Sequence, residues 1–94
     1  MITVTERAKV ALRDMLHENV DIPQACLRMK MNGKGGFGLG IDIELAGDKS
    51  LIFEGETILV VEEQLATKLK HVMLDLDESE EGAELVIIEL AGAN

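Results

Sequence analysis

Two runs of strict apolar alternation bracket a cluster of glycines. Leu27, Met29 and Met31 alternate with Arg28 and Lys30. Phe37, Leu39, Ile41, Ile43 and Leu45 alternate with Gly38, Gly40, Asp42 and Glu44. A period of two is the signature of a half-buried strand. Two such strands close in sequence pair as a hairpin, so this part of the chain commits to an antiparallel ribbon. Phe37, Leu39, Ile41 and Ile43 are expected on the core face and Asp42 on the other face. The stretch "NGKGGFGLGIDIEL" holds five glycines. Glycine loses more conformational entropy on folding than any other residue, so such a cluster needs a reason. It can cradle a phosphate, grip a metal, touch nucleic acid or only turn the chain.

The other elements follow from period and punctuation. Ile2–Val4 reads as a short strand. Thr5 is a helix N-cap, with Glu6 suited to the positive end of the helix dipole. Ala8, Ala11, Leu12, Met15 and Leu16 recur at helical spacing, which predicts an amphipathic helix from 6 to about 19. Pro23 closes that segment. Leu51–Phe53 and Thr57–Val61 predict a hairpin turning at Glu54–Glu56. A short helix is expected from Glu62 to Lys70, with Leu65, Ala66 and Leu69 on one face. Val72–Leu76 and the run "AELVIIEL" are expected strands, joined by the charged turn "DESEEG". The order fits an α+β domain or a β-sandwich with peripheral helices, one domain spanning 1–94.

Charge and composition exclude several classes. Eighteen carboxylates stand against nine Lys and Arg, a net charge of −9. That argues against nucleic acid and anionic membranes as partners, because phosphate backbones recruit basic surface. Basic proteins or cations suit it better. Phe37 and Phe53 are the only aromatics, so the core is aliphatic with methionine as filler. The N-terminus does not read as a signal peptide, and no apolar run is long enough to span a membrane. With a single cysteine, the expected location is the cytoplasm and no internal disulfide is expected.

Most motif readings are weak. A P-loop or a dinucleotide turn opens a helix, whereas a strand follows Gly36. RNA-binding sheets stack bases on two or three aromatics, and one is present here. Cys26, the lone thiol, reads as a small buried hydrophobe. His17 and His71 lack ligand spacing. The acidic run Asp75, Asp77, Glu78, Glu80 and Glu81 does not fit a calcium loop and reads as a solvated turn. There is no Ser/His/Asp order, no Cys/His pair near a glycine turn and no carboxylate pair in an evident cleft, so no catalytic residue is assigned.

The chain as a whole resembles the HesB/IscA-like, or A-type, iron–sulfur cluster assembly family. "ITVTERAKVALRDML" is similar to that family's opening strand and helix. "LRMKMNGKGGFGLGIDIEL" is similar to its strand, Gly-Cys-Ser-Gly-Phe loop and following strand, with Gly33, Gly36, Phe37 and Gly40 on the family's glycines and phenylalanine. "FEGETILVVEEQLATKL" and "DLDESEEGAELVI" are similar to its hairpin, second helix and closing segment. The resemblance implies a mainly β (α+β) fold, a compact mixed-sheet β-sandwich with an N-terminal helix and a short second helix. It places the candidate site at Gly33, Lys34, Gly35, Gly36 and Phe37. Lys34 stands at the family's loop cysteine and Gly35 at the following serine. The chain ends at Asn94, about where the family's C-terminal Cys-Gly-Cys would begin. An ammonium offers no lone pair to iron at neutral pH, so no metal ligand and no cofactor is expected. The function implied is a non-enzymatic accessory of iron–sulfur biogenesis, acting through protein contacts, with assembly proteins or basic proteins as partners and a homodimer left open. The alternative is a repurposed domain binding a small anion at Lys34 and the loop amides, or a divalent cation at the acidic turn.

Overall fold

The computed structural model describes residues 1–34 and 36–90. The chain runs β1 (Thr3–Val4), α1 (Glu6–Asn19), β2 (Ala25–Met31), β3 (Phe37–Ile43), β4 (Lys49–Phe53), β5 (Glu56–Val61), α2 (Glu63–Lys68), β6 (Val72–Ser79) and β7 (Gly82–Glu89). The predicted β-rich architecture with a long first helix and a short second one is what forms. Differences in the elements lie at the ends: α2 is shorter than the sequence suggests, and β6 runs on through Ser79.

Helix α1 begins where its cap dictates. Thr5 accepts a hydrogen bond from the Ala8 amide at 3.3 Å through its hydroxyl, which in turn donates to Asp75 Oδ1 at 2.6 Å. The helix buries Ala8, Leu12 and Leu16. Leu12 and Leu16 pack with Ile2, Leu27, Met29, Ile58, Leu59 and Leu74 in one aliphatic cluster, closed by Ala66 of α2 and the adjoining Leu69. Around this cluster stand a four-stranded mixed sheet in the order β3-β2-β5-β4 and a three-stranded sheet in the order β1-β6-β7.

The expected ribbon is present: β2 and β3 pair antiparallel, with Met31 opposite Phe37 and Leu27 opposite Ile41. The second hairpin is also present, turning at Glu54 (φ 52°) and Gly55 (φ 81°). Two positive φ values in a two-residue loop match the right-handed twist of the strands. A bulge follows. Leu51 faces Leu59 but Ile52 faces Thr57, so Ile58 is the extra residue. That irregularity brings both Ile58 and Leu59 into the core.

Two expectations about faces are overturned. Ile41, Ile43 and Leu45 are about half exposed, at 49%, 50% and 53%. Only Phe37 and Leu39 of that row reach the core. The reason is topological: β3 is an edge strand, and the cover over it ends after Leu39. Arg28, placed by alternation on a solvent face, is 9% exposed. Strands β3 and β4 lie at opposite edges of one sheet, so the connection between them (residues 44–48) must cross β2 and β5. It covers the side of the sheet that carries Arg28.

Candidate functional site

The glycine loop is closed by Asn32. Its backbone amide donates to the Gly36 carbonyl at 2.9 Å. Its side-chain Oδ1 accepts from the Lys34 amide at 2.8 Å and the Gly36 amide at 3.0 Å. A Cβ on Gly36 would lie 2.8 Å from Asn32 Nδ2, so a side chain there would push the Asn32 carboxamide out of its two loop bonds. Gly33, Lys34, Gly36 and Phe37 are thus brought together at the tip of the β2–β3 ribbon; Gly35 lies outside the described residues. Lys34 is exposed. The amides of Lys34 and Gly36, which an anion would need, are already occupied. Gly38 and Gly40, read as room for a neighbouring backbone, have open space where a side chain would begin, with no atom within 4 Å of either Cβ position. They leave one side of β3 bare instead.

Phe37 forms one wall of an apolar cleft of about 430 Å³. Ala11 and Met15 of α1, Leu39, and Leu76, Ala83 and Leu85 of the β6–β7 hairpin complete it. The cleft marks where the edge of the four-stranded sheet stands apart from the other sheet.

Arg28 is the most heavily engaged side chain of the ribbon. Its Nε donates to Asp42 Oδ2 at 2.7 Å, Nη1 and Nη2 to the two oxygens of Asp48 at 3.0 and 2.6 Å, and Nη2 also to the Ile43 carbonyl at 3.1 Å. Asp48 further accepts from the Leu45 amide at 2.7 Å. The fork-on-fork pair clamps the crossing loop to the sheet. Arg28 holds the Asp48 carboxyl below the usual carboxylate range. The Ile43 amide, then Arg28, does the same for Asp42. Asp42 is therefore not the free solvent-face carboxylate that alternation predicts. The carboxylate oxygens of Asp42 and Asp48 accept their hydrogen bonds from within the protein, so the cluster acts as a brace.

Cys26 sits one residue before Leu27 and is 1% exposed, the buried hydrophobe expected of it. Burial pushes its thiol up, against the smaller opposing pull of Arg28. His17 lies against Glu56, with Nε2 2.8 and 2.9 Å from the two carboxylate oxygens. Among the described residues, no group of three or more His, Cys, Asp and Glu side chains is placed to hold a metal ion.

The acidic run needs one correction. Asp75 is not part of a solvated turn. It is 8% exposed and accepts from Arg7 Nε and Nη2 at 2.8 Å each, from Thr5 Oγ1 at 2.6 Å and from the Leu76 amide at 2.8 Å. Asp77 and Glu78 stand exposed in the last part of β6, and Glu80 and Glu81 at the β6–β7 turn. Sequence reasoning missed both arginine clamps. Their partners lie 14 to 68 positions away, and only the topology joins them.

No family model matches the sequence, and no curated protein is similar to it. Solved structures are. Escherichia coli SufA, described as involved in biosynthesis of iron–sulfur clusters, superposes with a TM-score of 0.72 over 94% of this chain and 84% of that one, at 17% identity. IscA with its [2Fe-2S] cluster superposes with a TM-score of 0.62 over 95% and 85%, at 16% identity. The fold is HesB/IscA-like. A protein from Aquifex aeolicus, solved in solution, shares it with a TM-score of 0.62 over 92% and 88%, at 22% identity. On this HesB/IscA-like fold, the ribbon tip carries Asn32, Gly33, Lys34 and Gly36, and the single cysteine of the sequence lies inside the protein.

Proposed function

We propose that this chain is a non-enzymatic accessory of iron–sulfur cluster biogenesis, working through protein contacts without holding a cluster itself. The observation that carries the reading is Lys34 at the exposed tip of the β2–β3 loop, where the family resemblance puts a ligand cysteine. Iron in clusters is held by soft thiolates. The Lys34 ammonium has no lone pair to give. The carboxamide oxygen of Asn32 is taken up by two loop amides. Cys26 is buried and its thiol is biased toward the protonated form. The residues present therefore do not fit a cluster. What remains is a scaffold of the right shape with a strongly acidic surface, suited to assembly proteins or other basic partners in the cytoplasm. The anion-binding alternative is weakened by the amides that Asn32 occupies.

The test is an anaerobic titration of the purified protein with iron and sulfide, followed in the visible. The expected result is no stable thiolate-to-iron absorption. A brown protein that survives desalting, and whose colour disappears in Cys26→Ser, overturns the reading.

A further inference from the structure

Edge strands expose unpaired backbone groups, and folds protect them by shortness, charge or bulges. Among the described residues, three of the four sheet edges are protected. Strand β1 is two residues long, and the part of β6 that outruns it carries Asp77 and Glu78. Strand β4 begins at Lys49 and faces the bulge in β5. Strand β7 carries Glu84 and Glu89 beside the acidic turn. Strand β3 has none of these. It is seven residues long, bonded on one side only, and its one charge, Asp42, is turned to Arg28.

The outward backbone groups of β3 follow from its pairing. The Asn32 amide donates to the Gly36 carbonyl, so the backbone of Gly36 points at β2. With a period of two, Gly38 and Gly40 point the same way, and Phe37, Leu39, Ile41 and Ile43 point out from the sheet. The Ile43 amide is taken by Asp42 and its carbonyl by Arg28. Phe37, Leu39 and Ile41 are left to present outward donors and acceptors.

We infer that this edge takes up an extended segment of another protein as a fifth, antiparallel strand, apolar toward the cleft and basic at its ends. A fifth strand continues the sheet over the cleft of about 430 Å³. Its side chains on the face of Phe37 and Leu39 enter the cleft and meet Leu76, Ala83 and Leu85, which suits leucine. Those on the other face lie over Gly38 and Gly40, where nothing stands within 4 Å of either Cβ position. An aromatic ring there covers bare backbone. The charge comes from the far wall. Ala83 also lines an acidic hollow of about 310 Å³ with Asp77, Glu81 and Glu84, and it faces Glu78 across the hairpin. Residues 72–89 hold no lysine or arginine. A basic segment is drawn to these carboxylates and an acidic one is repelled. Main-chain bonds give an added strand its affinity, and pockets for its alternate side chains give specificity. The inference rests on the reading that this chain works through protein contacts, and it names the surface and the chemistry of the contact.

The probe is a labelled synthetic peptide, Lys-Thr-Leu-Tyr-Leu-Thr-Lys, titrated with the purified protein to about 200 µM and followed by fluorescence anisotropy. No iron is added, so this outcome and the colour test of the cluster reading are separate. Saturable binding is expected, weaker at higher salt. In the antiparallel pairing both leucine amides point at β3 and the tyrosine amide points away. N-methylation of either leucine amide should weaken binding by more than about tenfold, and of the tyrosine amide by less than about threefold. Glutamate in place of both lysines should abolish binding. Ala83→Arg, at an exposed position on the cleft wall, should keep the far-UV spectrum and weaken binding by more than about tenfold. No saturable binding over this range overturns the proposal. So does binding that is indifferent to which amide is methylated, because charge alone would then hold the peptide.

Discussion

Asn32 gives the glycine loop its shape with three hydrogen bonds, and Lys34 contributes only its backbone amide. The two residues should therefore separate cleanly on mutation. Asn32→Ala removes both side-chain bonds and frees the loop, so it should lower stability by about 1 kcal/mol in a denaturant melt. Lys34→Ala should change stability by less than about 0.5 kcal/mol. A melting series in phosphate, with chloride matched for ionic strength, should give parallel curves for wild type and Lys34→Ala. A ligand that bound only the folded state would raise the melting temperature with its concentration. A phosphate-specific rise lost in Lys34→Ala would instead revive an anion site. The role of Asn32 is of a kind that sequence can show, since Asn before glycine is a residue that bonds its own following backbone. The role of Arg28 is not. Nothing in "LRMKMN" or "AGDKS" says that the two segments meet.

At the scale of elements, alternation places the β2–β3 ribbon, because its pairing is local. It misplaces the far half of β3, because being an edge is a property of the whole sheet. Ile41 and Asp42 consequently exchange the parts that alternation assigns them. Ile41→Asp, at a half-exposed edge, should leave the monomer folded. Asp42→Asn breaks a charge-assisted bond to Arg28 and should lower the melting temperature more than Ile41→Asp does. Arg28→Ala is the severe change. It leaves Asp48, whose side chain is 5% exposed, without its partner, and losing one side of a buried pair costs about 3 kcal/mol. Thermal melts of the three variants at neutral pH check the order. Equal losses for Ile41→Asp and Arg28→Ala would mean that the crossing loop is not held by this clamp. Helix α1 is the easiest element to read: Thr5 caps it, and Leu12 and Leu16 face inward as their spacing requires.

Across the whole molecule, the two arginine clamps tie distant parts of the chain together. Arg7–Asp75 fastens the start of α1 to β6, and Arg28–Asp48 fastens the crossing loop to the four-stranded sheet. Asp42, Asp48 and Asp75 all have their carboxyls lowered in the folded state, Asp75 chiefly by Arg7. The sign of the pH dependence is then fixed. A carboxyl lowered by folding adds stability that is present above its unfolded value, near 3.9 for Asp, and lost as pH falls through the folded value. In that window the unfolded chain binds more protons, so stability drops as acid is added. Above it a second effect acts in the opposite direction. Protonating the exposed carboxylates relieves the self-repulsion of a chain at −9. The melting temperature is therefore expected to hold or rise slightly from pH 7 to about pH 5, and to fall steeply below about pH 4. Asp75→Asn should start lower at pH 7 and decline less on acidification, because one proton-linked contact is already gone. Circular-dichroism melts at constant ionic strength decide this. A wild-type profile that declines steadily from pH 7, with Asp75→Asn running parallel to it throughout, would show that the clamps are not what acid undoes.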